Sequence, residues 1–134
     1  ICKHNITMTC FWDSILSCLT IEDFKLLGVN KKLNREGLIE RLKTKNCLVD
    51  TLWQGKPLKK QEKQEHFEAI KCYNIKGIYN GHLTSICDSF LLLLCHLLKI
   101  NITHKYLNNN IIYKTVNPVR KTLHFKSNRG HFSR

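Results

Sequence analysis

"FLLLLCHLLKINITHKYL", residues 90 to 107, changes its periodicity halfway. Up to Lys99 it is leucine-rich, and the apolar run from Phe90 to Ile102, broken by His96 and Lys99, falls well short of a membrane span. It reads as a buried helix followed by a buried strand. From Ile100, "INITHKYL" alternates apolar and polar residues with period two, as a half-buried strand does. Upstream, Ser85-Ile86-Cys87-Asp88 has the pattern of a capping box and predicts the start of the helix that carries Leu91–Leu94 and Leu97–Leu98. Downstream, "NNN" at 108 to 110 predicts a turn and "IIYKTV" the return strand of a hairpin. "TLHFKS" alternates again through Leu123 and Phe125, "SNRG" is a second turn, and "HFS" opens a short last strand. This tail predicts an antiparallel meander.

The preceding two thirds read as helices. Thr9 is placed to cap a helix over residues 10 to 19, and Thr20-Ile21-Glu22-Asp23 resembles a capping box whose helix Gly28 would stop. Asn34 starts a third helix with Leu38, Ile39 and Leu42 on one face, and residues 58 to 73 form a charged surface helix with Phe67 and Ile70 as its apolar side. The expected class is α+β: N-terminal helices packed on a small C-terminal antiparallel sheet, in one domain over residues 1 to 134.

A chain of 134 residues, 43% hydrophobic and 24% charged, has the composition of a folded domain. No signal-peptide pattern opens it, and a start on Ile1 suggests a segment of a longer polypeptide. Seven cysteines, an odd number without a CxxC pair, point to a reducing compartment rather than a disulfide framework. The sequons at Asn5 and Asn101 are what an Asn-rich chain produces by chance. The net charge of +12 is mostly lysine and accompanies abundant Asn and Ile, as an AT-rich coding sequence would give. Such a surface attracts phosphate backbones without sequence preference, so weak, non-specific RNA binding is expected.

The stretch "TMTCFWDSILSC", residues 7 to 18, sets a cysteine on the threshold of a helix. Cys10 is either a small buried hydrophobe or a thiolate at the positive end of a helix dipole. A nucleophilic cysteine needs an imidazole beside it. His131 follows a Gly-containing turn, enters a strand and precedes an aromatic, so packing could fix its ring. His82, after Gly81 and before a helix cap, is the rival. His96 reads as a core or helix-surface residue, His104 and His124 as strand residues out of phase with the apolar ones, and His4 and His66 as solvated. Trp12 reads as a core anchor. Cys2-Lys3-His4 and Cys95-His96 lack zinc-knuckle spacing, and there is no P-loop, dinucleotide fingerprint or HExxH. No cofactor or metal is implied. The tyrosines near basic residues follow core periodicities rather than forming a stacking platform.

Four segments in order resemble the ovarian-tumour (OTU) superfamily of papain-like cysteine proteases: "TCFWDSIL", "YNGHLTSICDSFLLLLCHLLKINI", "NNNIIYKTV" and "TLHFKSNRGHF". They are similar to the family's nucleophile segment, its glycine-led helix and central strand, the next hairpin strand, and the closing strand with its His-aromatic pair. Residues 30 to 78 match nothing specific. The family's Asp three before the nucleophile is Thr7 here, its Gly is Met8, and the acid or amide two past the histidine is Ser133. Compact members of this kind occur in RNA-virus replicase polyproteins, including a tymovirus type that works with a Cys-His dyad.

The resemblance implies a thiol-dependent hydrolase in the host cytoplasm. It would cleave peptide or isopeptide bonds after a ubiquitin-like Gly-Gly tail and would also process its parent viral polyprotein. Cys10 would be the nucleophile and His131 the base. The Cys10 N–H and a neighbour in the Asn5–Thr9 loop, Thr7 and Thr9 included, would hold the oxyanion. Asn5, Thr7, Asn128 or Ser133 would orient the imidazole. Ubiquitin's basic tail would require local acids, for which Glu62, Glu65 and Glu68 are the candidates. The alternative is a non-catalytic basic RNA-binding or scaffolding module on the same fold.

Overall fold

The computed structural model describes residues 6–75, 81–82, 84–128 and 131–134. Its helices form where local chemistry starts and stops them. Helix α1 (Met8–Cys18) buries Phe11, Trp12 and Ile15 completely. It begins two residues earlier than expected, which places Thr9 inside the first turn rather than at the cap. Thr20 and Asp23 make the predicted capping box for α2 (Ile21–Leu26): the Asp23 N–H donates to Thr20 Oγ1 and the Thr20 N–H donates to Asp23 Oδ2 at 2.8 Å. Gly28 ends the segment at φ +86°, where a side chain would be strained and would also meet the Arg41 guanidinium. Asn34 caps α3 (Arg35–Thr44) by accepting the Gly37 N–H at 2.8 Å, and Leu38, Ile39 and Leu42 are buried as predicted. Helix α4 (Lys60–Lys71) is charged and buries Ile70, with Phe67 half-buried.

Helix α5 (Thr84–Leu98) is the central element, with Phe90 to Cys95 all fully buried. It starts at Thr84, one residue ahead of the predicted Ser85 cap, whose side chain lies outside the described residues. The Asp88 carboxylate accepts the Tyr113 hydroxyl at 2.5 Å.

The strands are β1 (Ile6–Thr7), β2 (Leu52–Trp53), β3 (Lys56–Pro57), β4 (Gly81–His82), β5 (Asn101–Tyr106), β6 (Asn109–Lys114), β7 (Thr122–Ser127) and β8 (Phe132–Ser133). The fold is α+β, with five helices and a six-stranded sheet in the order β3-β2-β6-β5-β7-β8; β1 and β4 form a separate antiparallel pair. The expected antiparallel meander is corrected. Strands β5 and β6 do form a hairpin, but β7 lies parallel to β5, with Ile102 opposite Leu123 and His104 opposite Phe125.

The cause is the segment 115–121, which crosses the start of β5 rather than turning back along β6. Its anchors are the Arg120 N–H to Lys99 O (2.9 Å), the Asn101 N–H to Lys121 O (3.1 Å) and the Thr115 N–H to Asn101 Oδ1 (3.0 Å). The edge of β6 that a meander would give to β7 is taken by β2, from a hairpin in the middle region that turns on Gln54 and Gly55.

Arg120 and Lys121 also reach Asp23, which is fully buried, at 2.9 and 2.6 Å. Burial pushes the Asp23 carboxyl up, but hydrogen bonds from Lys121, the Thr20 N–H and Arg120 hold it below the usual carboxylate value. One face of the sheet (Ile102, His104, Tyr113, Leu123, Phe125 and Phe132) packs into the core. The other carries Thr103, Lys105, His124 and Lys126.

Candidate active site

Cys10 stands in the first turn of α1, half-buried. The first-turn amides of a helix point out along its positive end, where negative charge is favoured. The helix is held there by β8. The Asn128 N–H donates to His131 O at 2.9 Å, which closes the β7–β8 ladder. The next N–H, that of Phe132, by strand alternation points off the sheet edge, and it donates to Cys10 Sγ at 3.2 Å.

The Phe132 ring is fully buried, edge-on to Phe11 at 4.8 Å and beside His104 and Phe125 at 5.1 and 5.2 Å. One turn into α1, the Ser14 hydroxyl lies within donating distance of both Cys10 O (2.8 Å) and Phe132 O (3.3 Å). Arg134 adds a long bond to Ser17 O at 3.5 Å. Two segments separated by most of the chain are thereby joined backbone to side chain.

Strand alternation sends His131 and Ser133 to the face opposite Phe132. Both line a cavity of about 390 Å³, together with Asn128, Ser127, Lys126 and Lys105. His131 is exposed at its rim. Thr9 is the second residue of α1, and Thr7 pairs with Gly81 in the β1–β4 ladder. The segment expected to be an oxyanion loop is thus partly strand and partly helix, and Asn5 lies outside the described residues. His82 pairs with Ile6, which brings its backbone close ahead of Cys10 and keeps it the rival base.

Two histidine readings are corrected. His104 is in phase with Ile102, not out of phase: it is fully buried on the core face, with Nε2 2.6 Å from Ser127 Oγ. Its Nδ1 has no hydrogen-bond partner among the described residues, and burial pulls the ring down to about 4, so it stays neutral. His66 is half-buried rather than solvated, and its Nδ1 lies 2.7 Å from Ser89 Oγ. His124 faces outward as expected and contacts Thr103 Oγ1 at 2.5 Å.

Trp12 is a core anchor and donates to the Tyr73 hydroxyl at 3.3 Å. Behind Cys10, the buried Cys87 thiol is pushed well up by burial, with Asp88 and Cys10 adding to the effect. It is a packing residue. Glu62, Glu65 and Glu68 sit on α4 around other cavities, and none lines the one beside His131.

Among the described residues no group of three His, Cys, Asp or Glu side chains could hold a metal ion, and no helix is long and apolar enough to cross a membrane. The charge is segregated along the chain: from Ser89 to Arg134 there are eight lysines and arginines and no acid. Sequence reasoning missed Ser14, His104 and Ser127. For His104 the signal was present, since counting by twos from Ile102 reaches it. No protein-family model matches the chain, and no curated protein or solved structure matches it either.

Proposed function

We propose that this chain is a thiol-dependent hydrolase of the papain-like, OTU type that cleaves peptide or isopeptide bonds after a ubiquitin-like tail, with Cys10 as nucleophile and His131 as base. The observation that carries the reading is the bond from the Phe132 N–H to Cys10 Sγ. It seats the backbone next to His131 directly on the thiol.

In the reaction, His131 takes the Cys10 proton and the thiolate attacks the carbonyl carbon, breaking its π bond to form a tetrahedral oxyanion. First-turn amides of α1 would donate to that oxygen. The intermediate collapses, the C–N bond breaks, and His131 gives its proton to the leaving amine. A water, deprotonated by the same ring, then hydrolyses the thioester and restores the thiol. Processing of a parent viral polyprotein would use the same steps.

The test is covalent labelling by ubiquitin carrying a C-terminal electrophile. A mass shift on Cys10 in the wild type, absent in Cys10→Ala and strongly slowed in His131→Ala, is expected. An unlabelled wild type would end the reading. The acid-free stretch from Ser89 to Arg134 favours the second reading, a basic RNA-binding or scaffolding module. Tight, salt-resistant binding to a defined RNA without labelling would select it.

A further inference from the structure

Beside His131 the sheet presents an arrangement that the hydrolase reading does not use. Lys105 and Lys126 are direct partners in the parallel β5–β7 register, so their side chains leave the same face on strands about 4.8 Å apart. Ser133 is the next partner across, opposite Lys126 on β8. Both lysines and Ser133 line the cavity of about 390 Å³ that ends at His131. Like charges set side by side repel, and nothing in the packing of an exposed sheet face demands two lysines there.

Among the described residues no acid lines the cavity; besides the lysines its polar side chains are Ser133, Asn128 and the His131 imidazole, and Leu107 offers an apolar stem contact. We propose that this cavity is a subsite for a carboxylate-bearing side chain, Asp or Glu, of a peptide substrate lying across Cys10 and His131. This deepens the hydrolase reading and rests on it for the direction of the chain. The two ammonium groups supply attraction and direction, while Ser133 and Asn128 supply hydrogen bonds to the same carboxylate.

An RNA strand is the poorer fit. Non-specific single-strand sites combine a basic groove with aromatic platforms for the bases, and among the described residues no Phe, Tyr or Trp lines this cavity. The subsite further accounts for a +12 domain acting on proteins: it selects acidic sequence around the scissile bond rather than the basic tail alone.

The test is binding by the Cys10→Ala protein, which cannot turn over. Two fluorescein-labelled peptides are compared by anisotropy at about 0.15 M salt, identical except that Glu or Gln flanks a central Gly-Gly. The Glu peptide should bind about five-fold more tightly, as partly exposed charge pairs allow. Lys105→Gln combined with Lys126→Gln should bring the preference within about two-fold, and Lys105→Arg with Lys126→Arg should restore it. Lys114→Gln, on β6 and not lining the cavity, should leave it unchanged.

Equal binding of the two peptides overturns the proposal, as does a preference that Lys114→Gln weakens as much as the double change. A short oligouridine that binds more tightly than the Glu peptide and is lost with it in the double variant also overturns it, making the cavity a phosphate site. The hydrolase reading is judged separately by ubiquitin-electrophile labelling. If labelling fails while the Glu preference survives, that reading falls with the substrate role of the cavity, and the cavity stands only as a carboxylate-binding site.

Discussion

Asp88 should make this protein less stable as the pH rises, the reverse of an ordinary paired carboxylate. Burial at the start of α5 pushes its carboxyl from 3.8 to about 6, and the hydrogen bond from the Tyr113 hydroxyl offsets only part of that. A group whose folded-state value is raised contributes stability that is complete below its unfolded value and is lost as the pH passes the folded one. The difference of about two pH units corresponds to about 3 kcal/mol, lost between roughly pH 4 and pH 7.

Asp88→Asn keeps an acceptor for Tyr113 and removes the charge. Urea unfolding of both proteins across this range should show near-equal stability at about pH 4, and an advantage to the Asn variant approaching 3 kcal/mol at about pH 7. Other groups pull the opposite way. Asp13, held down mainly by its Arg35 hydrogen bond, and Asp23 lose stabilisation as the pH falls, and His104, drawn down to about 4, disfavours folding below its unfolded value of 6.5. All three are common to both proteins and cancel in the difference. Tyr113→Phe should move the Asp88 midpoint still higher, because the lost bond favoured the charged form. Parallel stability curves for wild type and Asp88→Asn would refute the argument.

Phe132→Ala should cost about 3–5 kcal/mol by urea unfolding, since a fully buried ring with three aromatic neighbours leaves a cavity. Phe132→Leu should cost less than half of that, and equal losses would mean that β8 detaches rather than repacks. His131→Ala should lower turnover of a ubiquitin-fluorophore substrate about a hundred-fold or more, and His82→Ala far less. The reverse ranking would make the β1–β4 ladder, rather than β8, the carrier of the base.

What the sequence made legible was local. Thr20 with Asp23, Asn34 and Gly28 act within one turn of their own positions, so their chemistry could be read without knowing the fold. Period-two alternation located β5, β7 and β8 for the same reason. Sheet order was not local. It depends on the path of residues 115–121, which is tied to Asp23 on α2 through Arg120 and Lys121, nearly a hundred positions away.

Cys10 and His131 could be nominated because one lies at a helix start and the other at a strand start. Their being joined through Phe132 could not be foreseen, since Ser14 and the Phe132 N–H carry no sequence signal for that role. The His104 error has a different origin. A histidine among Thr and Lys reads as polar, whereas in the sheet only its parity with Ile102 counts.

The position two past the base offers a last test, because it links turnover to charge. Ser133 shares a face with His131 and lines the same cavity, and as a hydroxyl it can orient an imidazole but cannot balance an imidazolium. Ser133→Asp places a carboxylate there. If His131 is the base, that carboxylate should hold its ring and stabilise the cation formed during attack, raising kcat by up to about ten-fold, a small part of what a full triad acid contributes.

Lys126, directly opposite on β7, competes for the new charge, so Ser133→Asp combined with Lys126→Gln should gain more than Ser133→Asp alone. The same carboxylate occupies the proposed acidic subsite from within, and the preference for Glu over Gln peptides should vanish. Turnover and peptide selectivity thus move in opposite directions in one variant, an outcome that general destabilisation cannot produce. A folded Ser133→Asp protein with unchanged turnover would remove Ser133 from the orienting position and leave Cys10 and His131 as a dyad. Turnover that rises while the Glu preference persists would instead place the anion site elsewhere on the sheet.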